Sequence, residues 1–353
     1  MMPHNMKRWF VSLRIEERLA LAASVCVFFL NIGLYLKQVS FGEAILLTIR
    51  YFTFGHPLYA LMFLCVYFLI MGSAYFLITS LSRNRRVEQF SLENPMRLMR
   101  VFFAFFRAIG FLLLAGFFFS WLLANASYQL RFSGNDLLLF RWDQALFGSS
   151  PFFWLPNVFS PPLFAALFQY AYFSLGLALV GTLALLFIVS RENLFRKKVA
   201  SFLLSLVLAF PLFYVLPCAG GPYHYFVENL GGNVFSSDVR QLRAAYHPSP
   251  DVSAISSRIG DSDKDVARNN TVPISCFPSM HAIWGLFVVY FAMRVRAWSL
   301  FLTIPWLVLM LIGGLFFAQH YAVDYLASLP VAAASIWLGG LVFGARNREQ
   351  SKA

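Results

Sequence analysis

The sequence predicts an all-α integral membrane protein of about eight transmembrane helices. Of its 353 residues, 59% are hydrophobic and only 12% are charged, which lies outside the composition of soluble globular domains. Its apolar runs recur at lengths that, at about 1.5 Å per residue, cross a hydrocarbon core. The 28 Lys and Arg residues fall into short clusters between those runs, so the net charge of +12 follows membrane topology rather than a nucleic-acid surface.

Leu19 to Leu36 is the first span, behind Lys7, Arg8, Arg14 and Arg18. It exceeds the about 7 to 15 apolar residues of a secretory signal, and no clear cleavage site follows, so it reads as retained. After a short loop over Lys37 to His56, Pro57 to Leu81 is the second span. The basic segment Ser82 to Arg100 separates it from the third, Val101 to Leu123, where Arg107 can snorkel. Asn125 to Pro162 is too polar and proline-rich to span, with Asp136 to Phe147 read as a short amphipathic helix lying on the surface. Within it, Asp143 reads as a solvated or helix-capping carboxylate, with help in arranging a site as the alternative.

The fourth and fifth spans are Leu163 to Val189 and Val199 to Leu216, separated by the basic Arg191 to Lys198. Asn229 to Thr271 is the longest hydrophilic stretch and reads as a cap or lid. Its Asp261, Asp263 and Asp265 lack the glycine and terminal glutamate of a calcium loop, which favours a solvated turn. His281 to Met293, Leu300 to Ala318 and Tyr321 to Phe343 complete the eight, with Ala345 to Ala353 as a basic tail. Placing the N-terminus inside leaves 18 of the 28 Lys and Arg in inner segments, so both termini are expected in the cytoplasm. The turn at Gly220, His281 and His320 then share the exterior or lumenal side. Cys26, Cys65, Cys218 and Cys276 have no zinc-type spacing. Cys218 and Cys276 flank that same side, where an oxidising compartment would allow a disulfide; otherwise they are two small apolar residues.

The chemistry is concentrated between Pro273 and Asp324. Cys276-Phe-Pro-Ser-Met-His281 and His320-Tyr-Ala-Val-Asp324 stand at the two ends of one hydrophobic hairpin, which turns at Arg294-Val-Arg-Ala297. On a helix, positions four apart share a face, so Asp324 can reach the His320 ring, fix its tautomer and support positive charge on it. Pro278 suits the first position of a helix, leaving the amides after it and the Ser279 hydroxyl as an anion-binding mouth. A lone histidine at a helix end is usually structural. Three ionisable groups converging at membrane depth beside a phosphate-type helix start point instead to function.

Pro278-Ser279-Met280-His281, followed after one hairpin by His320-Tyr321-x-x-Asp324, resembles the second and third signature motifs of the type 2 phosphatidic acid phosphatase superfamily. The resemblance is greatest to the inositol phosphorylceramide synthase-like branch, where Pro-Ser-Leu-His replaces the Pro-Ser-Gly-His of the phosphatases. Gly220-Gly221-Pro222-Tyr223 also looks like that branch, and Trp142-Asp143 with Phe147-Gly148 resembles a further element of it. The resemblance covers about Val101 to Gly344 and departs at the first motif, since no Arg-Pro dipeptide occurs in this chain.

It implies a six-helix catalytic core over residues 101–344, formed by the last six spans. Residues 1–100 then form a two-helix N-terminal segment, 124–162 and 217–280 extracytoplasmic loops, and 345–353 a cytoplasmic tail. It implies His320 as nucleophile forming a phosphohistidine, Asp324 as its orienting partner, and His281 as general acid and then base, with Ser279 and helix-start amides on the phosphoryl oxygens. In place of the missing first motif, Arg258, Lys264, Arg268 and the amides of Gly220 and Gly221 are candidates to hold phosphate, with Tyr223 and His224 as substrate contacts. His224 has a surface or interfacial role as its alternative.

The expected reaction moves a phosphate-bearing head group from a phospholipid donor to a lipid or polyprenol acceptor. It takes place at the bilayer with no metal or cofactor and no nucleic acid. The alternatives are a lipid phosphate or pyrophosphate phosphatase of the same superfamily, in which water is the acceptor, and a non-catalytic transporter or scaffold. A transport pathway predicts polar groups through several spans near mid-membrane, whereas here they gather at one interface.

Overall fold

The computed structural model of the chain describes residues 15–35, 110, 114–119, 135–188, 192–218, 221–223 and 277–350. The second span, most of the third and the hydrophilic segment over 229–271 lie outside the described residues, as does Cys276, so the disulfide it could form with Cys218 is not addressed by them. The described residues are helical, without a strand.

The helices are α1 (Ile15–Tyr35), α2 (Asn135–Phe147), α3 (Pro151–Val158), α4 (Pro162–Phe173), α5 (Leu175–Ile188), α6 (Glu192–Val215), α7 (Met280–Val295), α8 (Leu300–Phe316) and α9 (Ala322–Gln350). Among the described residues, three stretches are long and apolar enough to cross a membrane: Asn193–Val215, Ala297–Phe316 and Ala322–Leu341. The expected fourth span is not one straight helix. It is a pair, α4 and α5, bent by 47° at Ser174. The Ser174 hydroxyl donates to the Ala171 carbonyl at 2.8 Å and accepts the Trp306 indole N–H at 2.8 Å. A hydroxyl turned back on its own helix and held there by a neighbour is a recognised cause of bending.

The middle of the fold is α7, which packs against α5, α6, α8 and α9. One side of it places Ile283, Phe287 and Phe291 among Phe195, Val199 and Leu203 of α6 and Val331 and Ala332 of α9. Its Val288 joins Tyr172, Leu175, Leu179, Leu307 and Met310 in a second layer. Gly285 lets α8 close in, since a Cβ there would stand 2.6 Å from Leu307 Cδ1 and 2.8 Å from Met310 Cε. These contacts fix α7 relative to α8 and α9, and thereby fix the two ends that carry the histidines. The last helix runs to Gln350, beyond the expected end at Phe343.

The amphipathic helix over residues 136–147 is present as α2, but it does not lie free on the surface. One face buries Asp136, Leu139, Phe140 and Asp143, while Leu138, Trp142, Leu146 and Phe147 are exposed. The buried face joins a cluster with Phe152, Cys218, Tyr223, Ala318, Tyr321 and Val323. That cluster underlies the segment between α8 and α9.

Candidate active site

Helix α8 ends in a tight turn: Phe317, Ala318 and Gln319 donate their N–H groups to the carbonyls of Gly313, Leu315 and Gly314. Ala318 adopts φ 53°, the left-handed conformation that commonly terminates a helix. His320 and Tyr321 follow, and α9 begins at Ala322. His320 therefore precedes the helix instead of sharing a helical face with Asp324, as the spacing alone suggested. The two still meet. Asp324 is the third residue of α9, and its Oδ2 accepts the Tyr321 N–H at 2.8 Å, half of a capping box. The same oxygen lies 3.3 Å from His320 Nδ1.

A carboxylate oxygen can only accept, so this contact assigns the imidazole proton to Nδ1 and leaves a lone pair on Nε2. That lone pair faces two groups: Ser279 Oγ at 3.2 Å and His281 Nδ1 at 3.4 Å.

Ser279 is the N-cap of α7, its hydroxyl oxygen accepting the Ala282 N–H at 3.3 Å. Pro278 is consequently not the first helical residue; it stands just before the cap. With Oγ accepting from Ala282, the hydroxyl hydrogen is free to point at His320 Nε2. Further bonds stitch the two helix starts together. The Ser279 N–H donates to the Asp324 carbonyl at 3.4 Å, and the Ser328 hydroxyl reaches both the Ser279 carbonyl, at 2.9 Å, and the Asp324 carbonyl, at 2.7 Å. Residues 45 and 49 positions apart thus share one hydrogen-bonded corner.

His281 is half-buried and stacks flat on Tyr172, with ring centroids 4.5 Å apart and planes inclined by 16°. His320 and Asp324 are buried, as is Ser279. The second oxygen of Asp324 is buried and has no hydrogen-bond partner among the described residues.

Asp143, 179 and 180 residues away in sequence, accepts the N–H groups of Ala322 at 3.1 Å and Val323 at 3.0 Å, and the Ser150 hydroxyl at 2.6 Å. It caps α9 from a different helix and is fully buried, which rules out the solvated reading. Burial pushes its carboxyl above the usual carboxylate range, against the opposing pull of the Ser150 hydroxyl and the two amides. Asp136 accepts the Tyr321 hydroxyl at 3.2 Å. Among the described residues, no group of His, Cys, Asp or Glu is arranged to hold a metal ion.

Of the other expected contacts, Gly221 and Tyr223 are described. Gly221 has φ 124°, and a Cβ on it would collide with the Gln319 carbonyl, so this turn lies directly on the backbone preceding His320. The Tyr223 N–H donates to the Ala318 carbonyl at 2.7 Å, while its ring packs into the cluster beneath. Gly220, His224, Arg258, Lys264 and Arg268 lie outside the described residues. Tyr172, Ser328, Asp136 and Ser150 carry no sequence signal of their own, each being a single polar tip in or beside an apolar run.

Residues 137–338 match the family model described as the PAP2 superfamily. No curated protein and no solved structure shows a significant match.

Proposed function

The chain belongs to the PAP2 superfamily, whose members are phosphatases and phosphotransferases, and from that premise we propose a membrane-embedded lipid phosphotransferase of the inositol phosphorylceramide synthase-like branch. It moves a phosphate-bearing head group from a phospholipid to a lipid or polyprenol acceptor. The observation that carries this reading is the setting of the His320 ring, with Nδ1 3.3 Å from Asp324 and Nε2 aimed away from it toward Ser279 and His281.

In the first half-reaction Nε2 attacks phosphorus as the bond to the leaving oxygen breaks, and protonated His281 gives that oxygen its proton. Asp324 stabilises the imidazolium that develops on His320. In the second, the acceptor hydroxyl loses its proton to His281 while its oxygen takes the phosphoryl group from Nε2. Ser279 and the amides at the start of α7 hold phosphoryl oxygens, and Arg258, Lys264, Arg268 and the Gly220–Gly221 turn supply the charge and donors that the missing first motif would bring.

In-line transfer puts phosphorus about 3 Å from the attacking nitrogen and the leaving oxygen about 2.8 Å from the acid, so the two nitrogens that act stand about 6 Å apart. The 3.4 Å contact between the rings is therefore a resting arrangement, and substrate entry displaces His281 across the Tyr172 face. Donor geometry in a free site commonly differs from that in the complex.

Transfer to a lipid is favoured over hydrolysis by the burial of His320, Ser279 and Asp324, which keeps water from the phosphohistidine. Met280 and the Gly-Gly-Pro sequence, whose Gly221 lies against Gln319, point the same way. The eight-span arrangement, its six-helix core over 101–344, cytoplasmic termini and an exterior or lumenal site complete the proposal.

The test is to supply purified wild type, His320→Ala and His281→Ala with labelled phosphatidylinositol, with and without ceramide or diacylglycerol, and to resolve the products. A new phospholipid that requires both the acceptor and His320 is the expected result. Free phosphate or head group from the wild type alone reassigns the protein as a phosphatase, and equal turnover by wild type and His320→Ala defeats the mechanism.

A further inference from the structure

Helix α2 touches both histidine segments. On the His320 side, Asp143 takes the first two amides of α9, and Asp136 takes the Tyr321 hydroxyl. On the His281 side, the Trp142 ring packs against Phe277, at 6.1 Å between centroids, two residues before the Ser279 cap. The opposite face presents Leu138, Trp142, Leu146 and Phe147, an apolar stripe suited to the boundary between lipid headgroups and acyl chains.

We infer that α2 is the positioning element of the site, and that Asp143 sets the His320–Asp324 register through the backbone of α9 without touching substrate. The inference rests on the proposed role of His320. A helix N-terminus presents N–H groups that must find acceptors. Here Tyr321 at the N-cap offers no short side-chain acceptor, so the amides of Ala322 and Val323 depend on a carboxylate from elsewhere. The two oxygens of Asp143 take one amide each, which fixes rotation as well as distance. Asp324 lies in the same turn, and its Oδ2 is held between the Tyr321 N–H and His320 Nδ1. If the turn loosens, the Nδ1 contact lengthens and Nε2 leaves the line to His281. The Ser150 hydroxyl holds Asp143 itself, so the chain of positioning runs from Ser150 through Asp143 and Asp324 to His320.

Asp143→Asn is the sharp variant, because it keeps the shape but turns an NH₂ toward one of the two amides. With the labelled phosphatidylinositol assay, kcat is expected to fall by about 30- to 100-fold, the scale of a misplacement near 1 Å, with KM within about threefold. Hydrogen exchange in the peptide over Tyr321–Asp324 is expected to quicken by about tenfold or more, while protection in α7 is kept. Should Asp143→Asn not fold, Ser150→Ala removes only the 2.6 Å bond and is expected to lose about 3- to 10-fold in kcat with the same local change in exchange.

Unchanged exchange in a folded variant overturns the clamp. Faster exchange with wild-type kcat reduces Asp143 to a structural cap and overturns the positioning role. A wild type indistinguishable from His320→Ala defeats the assigned reaction, a separate failure, and exchange alone then decides whether the clamp exists.

Discussion

Gly314, on the last turn of α8, is the position where one added methyl group presses on His320, on Tyr172 and on Tyr325 of α9 together. A Cβ there would collide with the Tyr325 hydroxyl and stand 3.2 Å from Tyr172 Cε2 and 3.3 Å from His320 Cδ2. The Tyr325 hydroxyl sits at the end of a rigid ring and donates to the Leu311 carbonyl at 2.9 Å, so it has no flexible tail to swing aside. In Gly314→Ala the ring must tilt and give up that bond. Overpacking costs about 1 to 3 kcal/mol, and a lost buried hydrogen bond adds about 1. The better helix propensity of alanine returns at most about 1. A net loss of about 1 to 3 kcal/mol corresponds, for a chain of 353 residues, to a fall of about 1 to 4 °C in apparent Tm.

The methyl group also pushes His320 away from α8 by a few tenths of an ångström, and since a shift of about 1 Å is worth about 100-fold in kcat, a loss of about three- to fivefold is expected. Thermal unfolding in detergent together with head-group transfer assays measure both effects. Adding Tyr325→Phe removes the obstructing oxygen and is expected to restore most of the Tm and most of the lost activity. Gly181→Ala on α5 is the matched control, since nothing lies within 4 Å of its added methyl group. A Gly314→Ala protein as stable and active as the wild type refutes the geometry, as does a double variant no better than the single one.

Asp324→Asn keeps an oxygen for His320 and Tyr321 but puts an amide NH₂ where the unpartnered Oδ1 now lies; kcat should fall about 10²- to 10⁴-fold through loss of imidazolium stabilisation, with about 1 to 3 kcal/mol lost in thermal unfolding. Tyr172→Leu removes the stack under His281, an interaction of about 0.5 to 1.5 kcal/mol, and should lower kcat about three- to tenfold, whereas Tyr172→Phe should stay near wild type; equal effects of the two count against the stack. Gly221→Ala must place a side chain at φ 124° against an immobile carbonyl, and an apparent Tm lowered by less than about 2 °C would show that the turn does not rest on Gln319.

The histidine pair and Asp324 were legible because ionisable groups are conspicuous in apolar sequence, and because a hairpin of two spans returns its ends to one level. The reason their contact forms was less legible. Spacing of four suggested a shared helical face, whereas Asp324 meets His320 from inside the first turn while His320 stands outside it. Asp143 was visible as a candidate but its partners were not, since backbone amides 179 and 180 residues away leave no mark in sequence. Tyr172 was invisible for the opposite reason: in Phe168-Gln-Tyr-Ala-Tyr-Phe173 nothing distinguishes the tyrosine that stacks on His281 from Tyr170, which is exposed. The bend at Ser174 likewise depends on Trp306, far along the chain.

The polar groups of the site are at the same time the caps of two helices. Ser279 closes the start of α7, Asp324 and Asp143 close the start of α9, and Ser328 joins the two carbonyls between them. In a membrane protein the start of a helix must satisfy its amides from within, because lipid offers no acceptor. Acceptors are thereby obliged to gather where α7 and α9 begin, and the same acceptors orient an imidazole lone pair between them. Removing a group outright loses a cap and a catalytic contact together, so stability and turnover fall in step. Substitutions that preserve hydrogen-bonding shape and change only charge, such as Asp324→Asn, separate the two. The ratio of their effects on kcat and on Tm measures how much of each residue's role is chemistry beyond the architecture it closes.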